Sequence, residues 1–370
     1  MDIQETIQYD SSSKAVYGPA KKVLVVFLRG LISAWKQMIY FDFNQLMTRE
    51  LFLHIVSRVE HFGIQIYATV FDMGNHTFMS QFKILSSDAN RIPNPADPTR
   101  FIYMFPDTPH LLKLLRNHCL DKGYSIPGDS SVTSVTLGKE EFQRVILKDG
   151  VELKICPKVS LDHVNVKGSS RQRVRTAAQL FSETMSKAFI FHYPNEYQLQ
   201  SRFIHTVNNW FDCMNSRRKF DATPLRCGFG VKEDAQIEAL HEMKNLINSM
   251  RFSNNVARET KLPFQKGILL GIQSMIGLYE DMKKKGVECI LTARLNQDCV
   301  ENCFSRMRAL GNSHPGPADI MMKMKMLLIG SNVGNIIQTC AVEIEDNEPA
   351  EQDNFVSMRI VSKVKEFEKK

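Results

Sequence analysis

Acidic side chains at spacings that could grip a divalent cation are the chemically suggestive feature of this 370-residue chain. Asp298 and Glu301 stand three apart in Leu295-Asn296-Gln297-Asp298-Cys299-Val300-Glu301-Asn302-Cys303-Phe304, which runs on into Ser305-Arg306-Met307-Arg308. Leu295, Cys299 and Cys303 recur every four residues, with Val300, Phe304 and Met307 beside them, and this predicts a helical apolar stripe. Both carboxylates then emerge from one side of the helix. Asn296 reads as the cap, and Gly311 with Pro315 and Pro317 as the stop. A plain amphipathic helix with a polar face would give the same pattern. Asp72 is the other acid of interest, in Asp72-Met73-Gly74-Asn75 after an apolar run. Two-metal phosphoryl transfer needs several carboxylates converging on cations about 3.5–4 Å apart. An acid at a strand end and another from a helix packed on the sheet could supply them. Asp72 equally suits a turn in which its side chain bonds its own backbone.

These acids need a scaffold. Residues 3–9 alternate as a strand, residues 23–28 form a continuous apolar run, and residues 34–43 form a further strand carrying Trp35. Thr48 caps a helix to about residue 60 whose apolar face is Leu51, Phe52, Ile55, Val56 and Val59. Residues 64–71 make the strand that delivers Asp72, and a helix and a Pro-punctuated loop lead to a strand at 101–105. That order is α/β. Asp107 followed by Pro109 reads as a helix N-cap, a structural use of a carboxylate. His110 could face the Asp72 site, although a lone His is more often a satisfied structural residue.

Beyond a polar region at 122–150, read as a linker with short strands, the chain turns helical to about Gly286. Helices are predicted over 177–191, 197–214, 232–250 and 263–284, and a closing one over 320–329. Their Met and aromatic stripes read as core. After Gly330 the chain is first acidic and then basic, a charged tail at 333–370.

Composition narrows the function classes. With 43% apolar and 24% charged residues the chain reads as globular, and its net charge of +7 permits an anionic partner without requiring one. The eight cysteines include no C-x-x-C pair, so a zinc ribbon or thioredoxin-like site has no support. No uncharged apolar run reaches the roughly 18 residues of a membrane span. The opening Met-Asp-Ile-Gln-Glu-Thr has no secretory-signal pattern.

The 295–308 segment resembles the P-element transposase family, including its THAP-type relatives, in which Leu-Asn-Gln-Asp-x-x-Glu-Asn-x-Phe with a following Arg ends an RNase H-like domain. Val26-Phe27-Leu28-Arg29-Gly30-Leu31, Trp35-Lys36-Gln37 and Phe105-Pro106-Asp107-Thr108-Pro109-His110, continuing through Leu111-Leu112-Lys113-Leu114-Leu115-Arg116-Asn117, resemble the same family. The resemblance implies an RNase H-like mixed sheet interrupted by a large, mainly helical GTP-binding insertion. On that reading 1–125 is the first part of the catalytic domain, 126–288 the insertion and 289–332 the returning part. It implies a DDE-type, Mg2+-dependent DNA cleavage and strand-transfer activity with GTP as cofactor, and Asp72 and Glu301 as catalytic, metal-binding carboxylates. DNA is the implied partner and the nucleus the implied location. A homo-oligomer is left open.

The family's first catalytic Asp should stand two residues before the Met that opens the first strand. Here that Met is Met1, so the expectation is a chain short of one carboxylate and of the family's zinc-containing THAP finger and coiled coil. A catalytically inactive nucleotide- or DNA-binding relic is therefore the alternative reading. For the nucleotide, the resemblance points to Asp212 and Asn215, whose carboxylate and amide could read a guanine edge, with Asp298 facing the same pocket. Lys158 is assigned to the phosphates and Val174 to the base. Asn215 would otherwise be a left-handed helix cap. Basic runs at 167–175 and 217–219, with Arg306 and Arg308, could meet DNA phosphates or be solvated faces.

Overall fold

The structure, a computed structural model, describes residues 1–11, 14–84, 89–128, 134–150, 154–252, 261–311 and 314–329. The predicted charged tail lies outside the described residues. Two compact units are present: residues 1–47 with 297–370, and residues 48–296.

In the smaller unit β1 (Gln8–Asp10) pairs with β2 (Ala15–Tyr17), and β3 (Val23–Arg29) pairs antiparallel with β4 (Lys36–Phe43). The predicted strand at 3–9 is thus shorter. Its first residues instead extend the β3 side, where Ile3 N–H donates to the Lys21 carbonyl (2.9 Å) and Val23 N–H to that of Met1 (3.0 Å). The chain returns to this unit as two helices, Asp298–Ala309 and Pro317–Ile329. Cys303 and Met307, one turn apart, join Ile320 and Met324 in a core with Ile3, Ala20, Val23 and Met38. Burying the Ile, Val and Met side chains among these contributes roughly 1.5–3 kcal/mol each.

The larger unit opens with α1 (Arg49–His61), where Thr48 Oγ1 accepts from Leu51 N–H at 3.3 Å. The helix ends at a buried polar knot. Glu60 accepts from Ile66 N–H (2.7 Å), Asn94 Nδ2 (2.6 Å) and both terminal nitrogens of Arg100 (3.1 and 2.6 Å). The central strand β7 (Phe101–Pro106) lies between β5 (Ala68–Phe71), parallel to it, and β6 (Arg91–Pro93), antiparallel. Ile102, Tyr103, Met104 and Phe105 are almost wholly buried, as befits a strand covered on both faces. Helix α2 (His76–Gln81), capped by Asn75, joins β5 to β6.

One cover is α9 (Pro263–Lys283), whose Ser274 hydroxyl donates to the Met104 carbonyl at 2.7 Å. Its glycines permit the approach: a Cβ on Gly277 would lie 2.8 Å from the Tyr103 ring, and one on Gly267 would lie 2.8 Å from Leu111. The other elements are α3 (Thr108–Lys122), strands β8 (Tyr124–Pro127), β9 (Ser134–Leu137) and β10 (Arg251–Phe252), and helices α4 (Lys139–Lys148), α5 (Val174–Leu180), α6 (Glu183–His192), α7 (Gln198–Met214) and α8 (Glu233–Ser249). Helix α4 lies where a linker was expected, and the single helix predicted over 177–191 is two. Ser182 makes the break, its hydroxyl accepting from Met185 N–H at 3.3 Å to start α6. The α/β reading with a large helical portion holds.

No helix among the described residues is long and apolar enough to cross a membrane. Among the described residues seven cysteines are free thiols, five of them buried. Burial pushes the thiols of Cys156 and Cys303 up to about 11, so both are protonated at neutral pH.

Candidate functional site

Parallel pairing of β5 with β7 sets Phe71 beside Pro106, so Asp72 and Asp107 follow the C-terminal ends of neighbouring strands. Their environments differ. Asp107 is 2% exposed and its side chain accepts from His110 N–H at 2.9 Å, the N-cap role expected for it. Asp72 is half-exposed, and its Oδ1 accepts from Gly74 N–H at 3.1 Å, so the turn bond anticipated as an alternative is present. The same oxygen lies 3.4 Å from His110 Nε2. Burial lowers the pKa of His110, and the nearby Asp72 charge raises it by less. The imidazole is therefore neutral at pH 7.

Glu301 and Asp298 belong to the smaller unit. Asp298 is the first residue of its helix and Glu301 lies in the first turn, where negative charge meets the helix dipole favourably. Cys303 and Met307 bury the opposite stripe, leaving Glu301 exposed. The expected start is corrected: Leu295 ends a separate 3-10 turn (Thr292–Leu295), and Gln297, not Asn296, is the cap residue. Asn296 instead donates through Nδ2 to Asn215 Oδ1 at 3.4 Å.

Asp212 sits in the last turn of α7. Phe203, Ile204, Val207, Trp210 and Met214 bury one side of this helix, while His205, Asn208, Asn209 and Asp212 line a polar one. Asn208 Nδ2 donates to Asp212 Oδ2 at 3.1 Å, and Arg226 Nε lies 3.1 Å from the same oxygen. Burial raises the Asp212 pKa, with Arg226 and Asn208 opposing and Asp221 adding to the rise. Asn215 follows the helix at φ −137° and ψ 34°, which rules out the left-handed cap. Two residues here escaped the sequence reading. Asn208 was readable, one helical turn before Asp212. Arg226, from the single 3-10 turn Pro224–Arg226, had no local signal.

Lys158 is exposed, and Val174 opens α5 half-buried. Among the described residues no hydrogen bond joins either to Asp212 or Asn215. Two predicted basic positions are already paired: Arg171 with Asp121, and Lys219 with Glu288 at 2.7 Å. Lys167, Arg173 and Arg175 are exposed.

Residues 109–226 match the family described as TNP-like, GTP-binding insertion domain. The chain is 32% identical over 343 residues to the Transposable element P transposase of Drosophila melanogaster, covering 89% of this chain and 44% of that protein. It also superposes with a TM-score of 0.80 and 31% identity on a chain of the Drosophila P element transposase strand transfer complex, covering 89% of this chain and 75% of that one. The chain belongs to the P element transposase family. This family member spans less than half the length of the curated relative it matches. It carries the family's GTP-binding insertion domain, and the matched span contains Lys158, Val174, Asp212 and Asn215, together with Asn208 and Arg226. Asp298 lies outside that span.

Proposed function

We propose that this chain is the catalytic region of a P-element-like DNA transposase that cleaves and joins DNA strands in the nucleus with GTP as cofactor. The observation that carries the reading is the 31% identity and 0.80 TM-score to a transposase strand transfer complex along 89% of the chain. In this reading residues 126–288 are an insertion between catalytic segments 1–125 and 289–332. Asp212 and Asn215 read the guanine edge, Asp298 shares that pocket, Val174 packs on the base and Lys158 offsets phosphate charge. Exposed Lys167, Arg173 and Arg175 supply sequence-independent contacts to DNA phosphates.

Asp72 and Glu301 are assigned as catalytic and metal-binding. Carboxylate oxygens are the donors Mg2+ takes, and the metal would stabilise the attacking and leaving oxygens of phosphoryl transfer. Among the described residues, however, no group of three His, Cys, Asp or Glu side chains suited to a metal is found. Asp72 and Glu301 would supply two of the oxygen donors to such a metal. The match of residues 109–226 to a GTP-binding insertion domain also fits a second reading, a nucleotide- and DNA-binding module without strand-transfer activity.

The test incubates the purified chain with Mg2+, GTP, pre-cleaved duplex ends and supercoiled plasmid. Joined products that vanish in Asp72→Asn and Glu301→Gln support the transposase. Joining that persists in both variants refutes these site assignments. Saturable GTP binding with no joining by the unmodified chain leaves the module.

A further inference from the structure

Asp212 presents its two oxygens unequally. Asn208 Nδ2 and Arg226 Nε both engage Oδ2, each at 3.1 Å, while among the described residues Oδ1 accepts no hydrogen bond. The Asp212 side chain is only 13% exposed and that of Arg226 is 53% exposed, so the cation reaches the acid from the solvent side. Asn208 reaches it along α7, one turn earlier. The carboxylate is thus fixed in rotation by two donors from different elements. Its other oxygen remains available to accept from a ligand N–H.

We infer that Arg226 is a positioning residue for guanine recognition: it orients Asp212 so that Oδ1 accepts from the base. The inference rests on the proposed role of Asp212 toward guanine. A carboxylate discriminates guanine from adenine because guanine offers N–H donors on its Watson–Crick edge where adenine has an unprotonated ring nitrogen. A protonated acid loses that preference, since its hydroxyl is a donor. Asp212 is therefore useful only as the anion, in a place where burial opposes the anion. The ionisable neighbours pull in two directions. Arg226, on the 3-10 turn, favours the charge, and Asp221, on the loop before it, disfavours it. Cys213, adjacent on α7, has its thiol raised far above the ordinary range, first by burial and then by Asp212, and stays neutral. Asn208 contributes a hydrogen bond and no charge.

The alternative use of the same contact is competition, because a guanidinium on Asp212 occupies an oxygen that a base could take. The two uses have opposite signs, and one measurement separates them. Labelled GTP is titrated into the full chain from about pH 5 to about pH 8, with unlabelled ATP as competitor. If Arg226 positions the acid, Arg226→Met weakens GTP binding about three- to tenfold at neutral pH. In that variant binding begins to fall at a higher pH than in the unmodified chain, while Arg226→Lys, which keeps a charge, lies between the two. Because the Arg226 side chain is largely in solvent, an unchanged melting temperature accompanies the effect. Arg226→Met binding GTP as tightly as the unmodified chain, or more tightly, with the same pH profile, would overturn the inference. Asp212→Asn separates the underlying reading: if it keeps the preference for GTP over ATP, Asp212 does not read the base, whatever Arg226 does.

Discussion

His110 Nε2 lies 3.4 Å from Asp72 Oδ1, beyond the C-terminal ends of two neighbouring parallel strands. The pair exists because Asp107 caps α3 and so fixes the first turn from which His110 projects. Burial pulls the imidazole pKa down while the Asp72 charge pulls it up. Removing the charge leaves burial unopposed, so Asp72→Asn should lower the His110 pKa further below its ordinary value of about 6.5. A side-chain NMR titration of His110 checks this; an upward or absent shift would show that the two groups are not coupled. The half-exposed Asp72 carries little packing, and the same substitution should change stability by less than about 1 kcal/mol.

The approach of α9 to β7 gives a second prediction. Gly277 faces Tyr103, whose hydroxyl donates to Asp281 Oδ2 (2.7 Å) and accepts from Arg91 Nη1 (3.1 Å). A side chain at 277 must push the helix from the strand or break that network. Gly277→Val should destabilise the larger unit by about 1–3 kcal/mol. Urea unfolding would measure this, and Ser274→Ala, which removes a bond to the Met104 carbonyl without adding volume, should cost about 1 kcal/mol.

Elements with strong local signals were legible in the sequence. The helix predicted over 263–284 is Pro263–Lys283, and the Thr48 and Asp107 caps act as their spacing implied. Helix α4 was hidden because it begins Lys139-Glu140-Glu141 and buries only Phe142 and Val145, too sparse a stripe to stand out from polar linker. The 64–71 strand shortens to Ala68–Phe71 because Glu60 and Asn94 hold residue 66 outside the ladder. At the candidate site the carboxylates were legible and their surroundings were not. Asp212 meets Arg226 across a turn, Asn215 meets Asn296 across 81 residues, and neither distance leaves a periodic trace.

Asp149 ties the end of α4 to the end of α6. Its carboxylate accepts from Ile155 N–H (3.0 Å) and Cys156 N–H (2.9 Å) and meets His192 Nε2 at 2.9 Å, with both side chains at most 10% exposed. Burial raises the Asp149 pKa, but the bonds from His192, Cys156 and Ile155 together outweigh it and hold the pKa below the ordinary value. A depressed carboxylate pKa contributes stability above the unfolded-state value, and that contribution is lost as pH falls through the folded-state value. Asp149→Ala should therefore cost about 3 kcal/mol at neutral pH, and the gap from the unmodified chain should narrow below about pH 4. Denaturant titrations at both pH values check the sign. A gap that widens in acid would mean the carboxylate is not the anchor.

Glu60 and Arg100 pose a stricter test, since their side chains are 6% and 13% exposed and the acid also accepts from two other partners, Ile66 N–H and Asn94 Nδ2. Burial raises the Glu60 pKa, and Arg100, Ile66 N–H and Asn94 overcome it, leaving the acid ionised at neutral pH. Glu60→Gln keeps the volume and one acceptor oxygen but strands the Arg100 charge with only Asp97, 2.9 Å from its Nε, to balance it. Breaking a buried pair from one side costs about 3–5 kcal/mol, so Glu60→Gln should destabilise the larger unit by about that amount. The double variant Glu60→Gln with Arg100→Met removes the stranded cation and should recover part of the loss. A double variant no more stable than the sum of its single changes would show that the two residues act independently, and the knot would then be held by Asn94 and the backbone of Ile66 rather than by charge.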